Sequence, residues 1–315
     1  MNRDYEISLA KKVLIIGNGF DLDLGLNTRY SDFAKSSGYF KTTTDSSYLK
    51  QHLNRVVNNE KWLDLEMELE KYAAISRGIY KTVSSITQRE DMDSFESLKS
   101  SLTDYLIAEQ KKSIKPNSLA ALLLQEVAKC SLFQSIYSFN YTDLDSFALQ
   151  LGIEKSLRFH NVHGSLRQNN IILGVREGAT LKNGYDFLRK TFSPTYASFP
   201  ILYDLQDAGE VVFFGHSLSP NDYHYFQSFF KAQCREDMRR QDAKRITFFT
   251  YDEDSAREIK RQLWIMNENR TDRLFTQNDI TFILTKRVNS TDWSDFVSNL
   301  HEDEMAILQP IDKLW

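Results

Sequence analysis

Val13-Leu14-Ile15-Ile16-Gly17-Asn18-Gly19-Phe20-Asp21-Leu22-Asp23-Leu24-Gly25-Leu26 is the stretch whose reading decides the fold. Four consecutive apolar residues read as a strand buried on both faces, as in a parallel sheet. The run stops at Gly17-Asn18-Gly19, after which Phe20, Leu24 and Phe33 recur at roughly helical spacing. A strand, a glycine turn and a helix in succession aim backbone N–H groups at a phosphate. On this reading Gly17 permits the tight turn and Gly19 lets a ligand approach the backbone. The next glycine is Gly25, not one three residues after Gly19, so the dinucleotide fingerprint Gly-x-Gly-x-x-Gly is not met. Other stretches must decide the ligand.

Beyond Phe33 the character changes. From Tyr39 to Lys115 glycine is scarce and proline absent, while charge and helical periodicity are abundant. Trp62, Leu65, Leu69 and Tyr72 share one predicted helix face, and Phe95, Leu98, Leu102, Tyr105 and Leu106 share another. Pro116-Asn117-Ser118 predicts a helix start that leads into the apolar run from Leu119 to Leu124. Strands are predicted at 135–140, 157–164 and 170–175, then at 211–215, 245–250 and 279–284. Helices are predicted at 222–239 and 255–266 between the later ones. Strands alternating with helices predict an α/β fold with a doubly wound, mostly parallel, Rossmann-like sheet. The expected organisation is one domain over 1–315, interrupted by a helical insertion at about 39–115.

Composition removes several classes. A chain of 315 residues, 41% hydrophobic and 26% charged, is that of a globular protein, and a net charge of −4 gives no global pull toward nucleic acid. Cys130 and Cys234 form no Cys-x-x-Cys, so neither a thiolate zinc site nor a disulfide framework is expected. With no apolar signal core and no run long enough to span a membrane, the expected location is the cytoplasm.

In a doubly wound sheet, ligands bind beyond the C-terminal ends of the strands. The residues there are Gly17-Asn18-Gly19-Phe20-Asp21, Asn140-Tyr141-Thr142-Asp143, His160-Asn161-Val162-His163-Gly164-Ser165 and Gly215-His216-Ser217-Leu218. Bland roles exist for each. Asp21 suits a helix start, Asn140 suits a helix cap, and His160 suits a packed position. His216 and Ser217 can simply close a turn, and Asp64 and Glu66 read as the wet face of a helix. His160 and His163 as a metal pair lack a third ligand.

These stretches carry a resemblance. Gly17, Gly19 and Gly25 have the spacing of the sirtuin nucleotide loop, Gly-Ala-Gly-x-Ser-x-x-x-Gly-Ile-Pro. Asn140-Tyr141 is similar to the sirtuin Asn-x-Asp strand end, His163-Gly164 to its His-Gly, and Gly215-His216-Ser217-Leu218 to its Gly-Thr-Ser-Leu. More narrowly, the loop with Tyr30-Ser31-Asp32-Phe33, Trp62-Leu63-Asp64-Leu65-Glu66, Phe139 to Asp143 and His160 to Ser165 resembles the AbiH-type phage abortive-infection family. The departures from sirtuins are definite. Asp21 replaces serine, Asn27 replaces proline, Asp143 falls one residue late with Thr142 in its place, and the four-cysteine zinc module is missing. Without that module the resemblance implies an NAD-consuming defence protein rather than a deacylase.

The implied chemistry is hydrolysis of the nicotinamide–ribose bond, which breaks through an oxocarbenium-like state. His163 is the candidate base, since an unperturbed imidazole titrates near neutrality. Asn140 both donates and accepts, so it can hold the water or a ribose hydroxyl. Gly17, Asn18, Gly19, Phe20, Asp21, Gly25, Asp143, Gly215, His216 and Ser217 are the candidates for binding NAD, which here is the substrate. No metal is expected. A second copy of the chain or another defence protein is the partner class implied. The rivals are a non-catalytic sensor of a nucleotide or ADP-ribose, and a metal-dependent nuclease-like toxin using Asp21, Asp23 and Glu66.

Overall fold

Strand β1, Lys12–Ile16, sends its side chains alternately into two separate apolar cores, which is why its apolar run is continuous. The structure, a computed structural model, describes residues 11–39, 47–59, 64–74, 84–154 and 157–308. β1 lies inside a sheet completed by β2 (Phe133–Ser138), β3 (Phe159–Asn161), β4 (Glu210–Phe214), β5 (Arg245–Thr250) and β6 (Asp279–Leu284). The order is β3-β2-β1-β4-β5-β6, and every neighbouring pair is parallel. The chain therefore winds outward from β1 in both directions, and the reversal falls between β1 and β4. The mixed α/β, Rossmann-like architecture expected from the sequence is the one observed.

Twelve helices are described, with α1 (Asn18–Asp23) and α2 (Tyr30–Ala34) following β1. On one face of the sheet Leu14, Ile16, Val212 and Phe214 pack against α6 (Leu119–Lys129), α7 (Leu144–Gln150) and α12 (Ser290–Leu308). On the other, Val13, Ile15, Val211 and Phe213 meet α8 (Ile201–Asp207), α9 (Tyr223–Ala232), α10 (Glu253–Met266) and α11 (Thr271–Gln277). Phe226, Phe229 and Phe230 of α9 are fully buried there, each worth roughly 1.5–3 kcal/mol of transfer free energy. A third core joins α3 (Tyr48–Asn59), α4 (Leu65–Ala73) and α5 (Ser85–Gln110) to Tyr141, Ile171, Leu173 and Tyr185. Inside it the Asp91 carboxylate accepts from Tyr72 Oη at 2.5 Å, Tyr185 Oη at 2.7 Å and Ser47 Oγ at 3.1 Å. That network accounts for Tyr72, while its expected partner Trp62 lies outside the described residues.

Three expectations change. The run 170–175 is no strand. Ile171, Ile172 and Leu173 are buried against the third core, and only Val175 forms a bridge, to Arg189. Apolar character reported burial there, not a sheet ladder. The first helix is six residues long and begins at Asn18, so the glycine stretch lies inside its first turn. The helix expected over 222–239 ends at Ala232. Among the described residues no helix is long and apolar enough to cross a membrane.

Candidate functional site

Parallel register brings the ends of four strands to one edge. Ile16 pairs with Ser138 and Phe214, and Ser138 pairs with Asn161. The next residues, Gly17, Asn140, His163 and His216, line one cavity of about 560 Å³ together with Asn18, Asp21, Gly215 and Ser217. Gly19, Phe20, Gly25 and Asp143 are not on its wall. Phe20 is fully buried with its ring edge against Phe214. Gly25 faces Lys115, and Asp143 caps α7 by accepting from Asp145 N at 3.2 Å.

The glycine stretch works differently from a phosphate cradle. Gly17 N–H donates to Phe214 O at 3.0 Å, Gly19 N–H to Gly215 O at 2.9 Å and Phe20 N–H to Gly17 O at 2.9 Å. These donors are engaged by the chain itself. A Cβ on Gly19 would lie 2.5 Å from Gly215 Cα, so two backbones cross where the sequence suggests a ligand. Gly164 is needed for another reason. Its φ is +74°, and a Cβ there would lie 2.1 Å from Asn170 O, so glycine lets the chain turn directly after His163.

Asp21 is the centre of the first polar group. It is 1% exposed, and accepts from Asn140 Nδ2 at 2.8 Å and Thr142 Oγ1 at 2.9 Å. Burial pushes its carboxyl up to about 7, against those two hydrogen bonds. Asn140 Nδ2 also donates to Gly17 O at 3.1 Å, so both of its N–H groups are engaged and only its carbonyl faces onward. Asn140 thus positions Asp21 rather than capping a helix. Asp23 is drawn off elsewhere, accepting from Ala120 N at 2.8 Å at the start of α6.

The second group was only partly legible in the sequence. His163 Nε2 lies 3.2 Å from Lys190 Nζ and 3.3 Å from Asp222 Oδ1. Lys190 also contacts Glu66 Oε2 at 2.9 Å, and His216 Nε2 lies 3.5 Å from Asp222 Oδ2. His216 Nδ1 accepts from Leu218 N–H at 3.0 Å, which leaves the ring proton on Nε2, facing Asp222. Phe139 stands edge-on to both imidazoles, with ring centroids 5.3 Å from His163 and 4.5 Å from His216.

Burial, helped by the Lys190 ammonium, lowers His163 to about 4, against Asp222. His163 is therefore neutral at pH 7. Burial works to raise Asp222, but Lys190 and the two histidines hold it well below the usual carboxylate range. Burial also raises Glu66 to about 7, against Lys190. Glu66 is thus a cavity residue and not a solvated helix face, and Asp64, on the same wall, also caps α4 by accepting from Met67 N at 3.0 Å. His160 lies apart, stacked on Tyr137 at 5.0 Å. No sequence signal marked Lys190, which opens a one-turn segment directly after another, Asp186–Leu188. Asp222 could have been found from its place four residues after the Gly215-to-Leu218 strand end. Among the described residues no set of three or more His, Cys, Asp or Glu is arranged to hold a metal ion.

The profile of the bacteriophage abortive infection AbiH family matches residues 13–241, which contain every one of these groups. No curated protein and no solved structure matches the chain.

Proposed function

The chain belongs to the bacteriophage abortive infection AbiH family, and from that premise we propose that it binds NAD in this cavity and hydrolyses the nicotinamide–ribose bond. The observation that carries the reading is a neutral, buried imidazole backed by a charged, buried carboxylate on the cavity wall. Water attacks the anomeric carbon as the C–N bond breaks, and nicotinamide leaves with the bonding electrons. The proton of the water passes to His163 Nδ1, in the tautomer whose Nε2–H faces Asp222. Asp222, 3.3 Å from its Nε2, stabilises the imidazolium as it forms. Products are ADP-ribose, nicotinamide and a proton.

The sirtuin-like order of the strand-end motifs supports this reading, as does their convergence on one cavity. Asn140 serves through Asp21, which it holds in place. A carboxyl with a pKa near 7 is partly neutral at working pH, which eases its approach to an anionic nucleotide.

One observation favours a second reading. An imidazole at about 4 is a weak base at rest, as suits a module that binds a nucleotide without cleaving it. The two readings separate in one assay. Incubation with NAD and resolution of the products yields ADP-ribose and nicotinamide from an enzyme, and unchanged NAD from a sensor. In His163→Ala, cleavage falls by roughly 10²–10⁴-fold while nucleotide binding persists. Cleavage at the wild-type rate in that variant, or none in the wild type, ends the enzymatic reading.

A further inference from the structure

Several donors on the inner wall of the cavity are already engaged within the chain. The Asn140 amide donates to Gly17 O and Asp21, the Thr142 hydroxyl to Asp21, and Lys190 is held by Glu66 at 2.9 Å with Asp222 3.7 Å away. The N–H groups of Gly17, Gly19 and Phe20 are engaged with backbone carbonyls. One strong acceptor is left over. Asp222 is 8% exposed and lines the cavity, and its Oδ1, with His163 Nε2 3.3 Å and Lys190 Nζ 3.7 Å away, accepts no well-aligned hydrogen bond. Charged neighbours offset part of the cost of burying that oxygen, but it keeps room for a well-aligned donor, which a ligand hydroxyl can supply.

The surroundings restrict what that ligand can be. A phosphate would set a second anion against a buried carboxylate. A metal cation would meet the Lys190 ammonium, 3.7 Å from the same oxygen. A neutral hydroxyl group meets neither obstacle. The cavity's arginines, Arg29 and Arg261, are half or more exposed, and are paired with Asp32 at 3.8 Å and Glu258 at 3.0 Å. They belong to its mouth.

We infer that Asp222 is the sugar-reading residue of the site, its Oδ1 accepting a hydroxyl of the ribose that carries the scissile bond while the phosphates lie toward Arg29 and Arg261. The inference rests on the NAD reading and sharpens it, since it gives the substrate an orientation. It also makes the distal ribose, rather than the pyrophosphate, the part recognised in the interior.

Calorimetric titration of the full chain with ADP-ribose and with ADP tests it, because ADP lacks the distal ribose. The wild type is expected to bind ADP-ribose about tenfold or more tightly than ADP. In Asp222→Asn that ratio falls toward one, with ADP affinity little changed. The wild-type ratio needs no variant, so a poorly folded Asp222→Asn does not remove the test. If NAD is cleaved but the two ligands bind the wild type equally, the sugar-reading role is refuted and hydrolysis stands. If ADP-ribose is preferred, the preference is lost in Asp222→Asn and NAD survives, Asp222 keeps its role and hydrolysis fails, whereas a preference that persists in a folded Asp222→Asn refutes the role. Binding of neither ligand overturns both.

Discussion

Asp21→Asn is the most direct probe of the buried polar group. In the folded chain the carboxyl moves from an ordinary 3.8 to about 7. Each tenfold change in proton affinity is worth ~1.4 kcal/mol. Ionising Asp21 therefore costs about 4 kcal/mol more in the folded chain than in the unfolded one. The sign follows from which state holds the proton more tightly. Because the folded pKa is the higher, the contribution of Asp21 to stability is greatest below about pH 4. It declines as pH rises toward 7 and is level above that. Asparagine is nearly isosteric and stays neutral at every pH. Its oxygen can still accept from Asn140, and its amide can donate to the Thr142 hydroxyl, which turns to accept. Urea unfolding of both proteins between pH 4 and pH 8 is the assay. The variant should gain on the wild type as pH rises, and the difference should level off at about 4 kcal/mol above its value at pH 4. Glu66 is raised in the same direction, so some decline should persist in both proteins. Parallel curves, or a variant that loses ground as pH rises, would refute a carboxyl held near neutrality by burial.

Lys190→Met should destabilise the fold by roughly 3–5 kcal/mol, because it leaves Glu66 and Asp222 without the cation between them. It should also let His163 titrate at a pH above its present value of about 4, as read from imidazole resonances by NMR. An unmoved midpoint would show that the ammonium adds nothing to the effect of burial on the ring. Gly19→Ala should lower thermal stability before any ligand is added, by about 1–3 kcal/mol or more, since the new methyl meets Gly215 Cα at 2.5 Å. An unchanged melting temperature would mean that the two backbones do not cross there.

The sheet was legible because strands buried on both faces leave continuous apolar runs, as at Val13–Ile16 and Val211–Phe214, with Ile246–Phe249 broken only by the buried Thr247. The run at 170–175 has the same character, but burial alone does not distinguish a ladder from an irregular segment pressed against helices. At the site, residues adjoining a strand end were readable from topology, which is why His163, Asn140 and His216 were found. Lys190 was not, because it enters from a loop whose path no local pattern reveals. Gly17 and Gly215 do reach the cavity wall, but Gly19 does not, for a subtler reason. A small residue reports that something comes close, and the sequence does not say whether that something is a ligand or, as at Gly19, another stretch of the same chain.

That crossing of Gly19 with Gly215 bears on how the protein comes into being. The first strand and its turn are made early by the ribosome, yet the backbone they rest on belongs to β4, and Asp222 emerges later still. The cavity is built from contacts of long sequence separation, which form late in folding. A nascent chain that stops short of residue 222 therefore has no complete site, however well its first half has folded. Under the NAD-hydrolysing reading proposed above, synthesis itself keeps the activity off until residue 222 has been made.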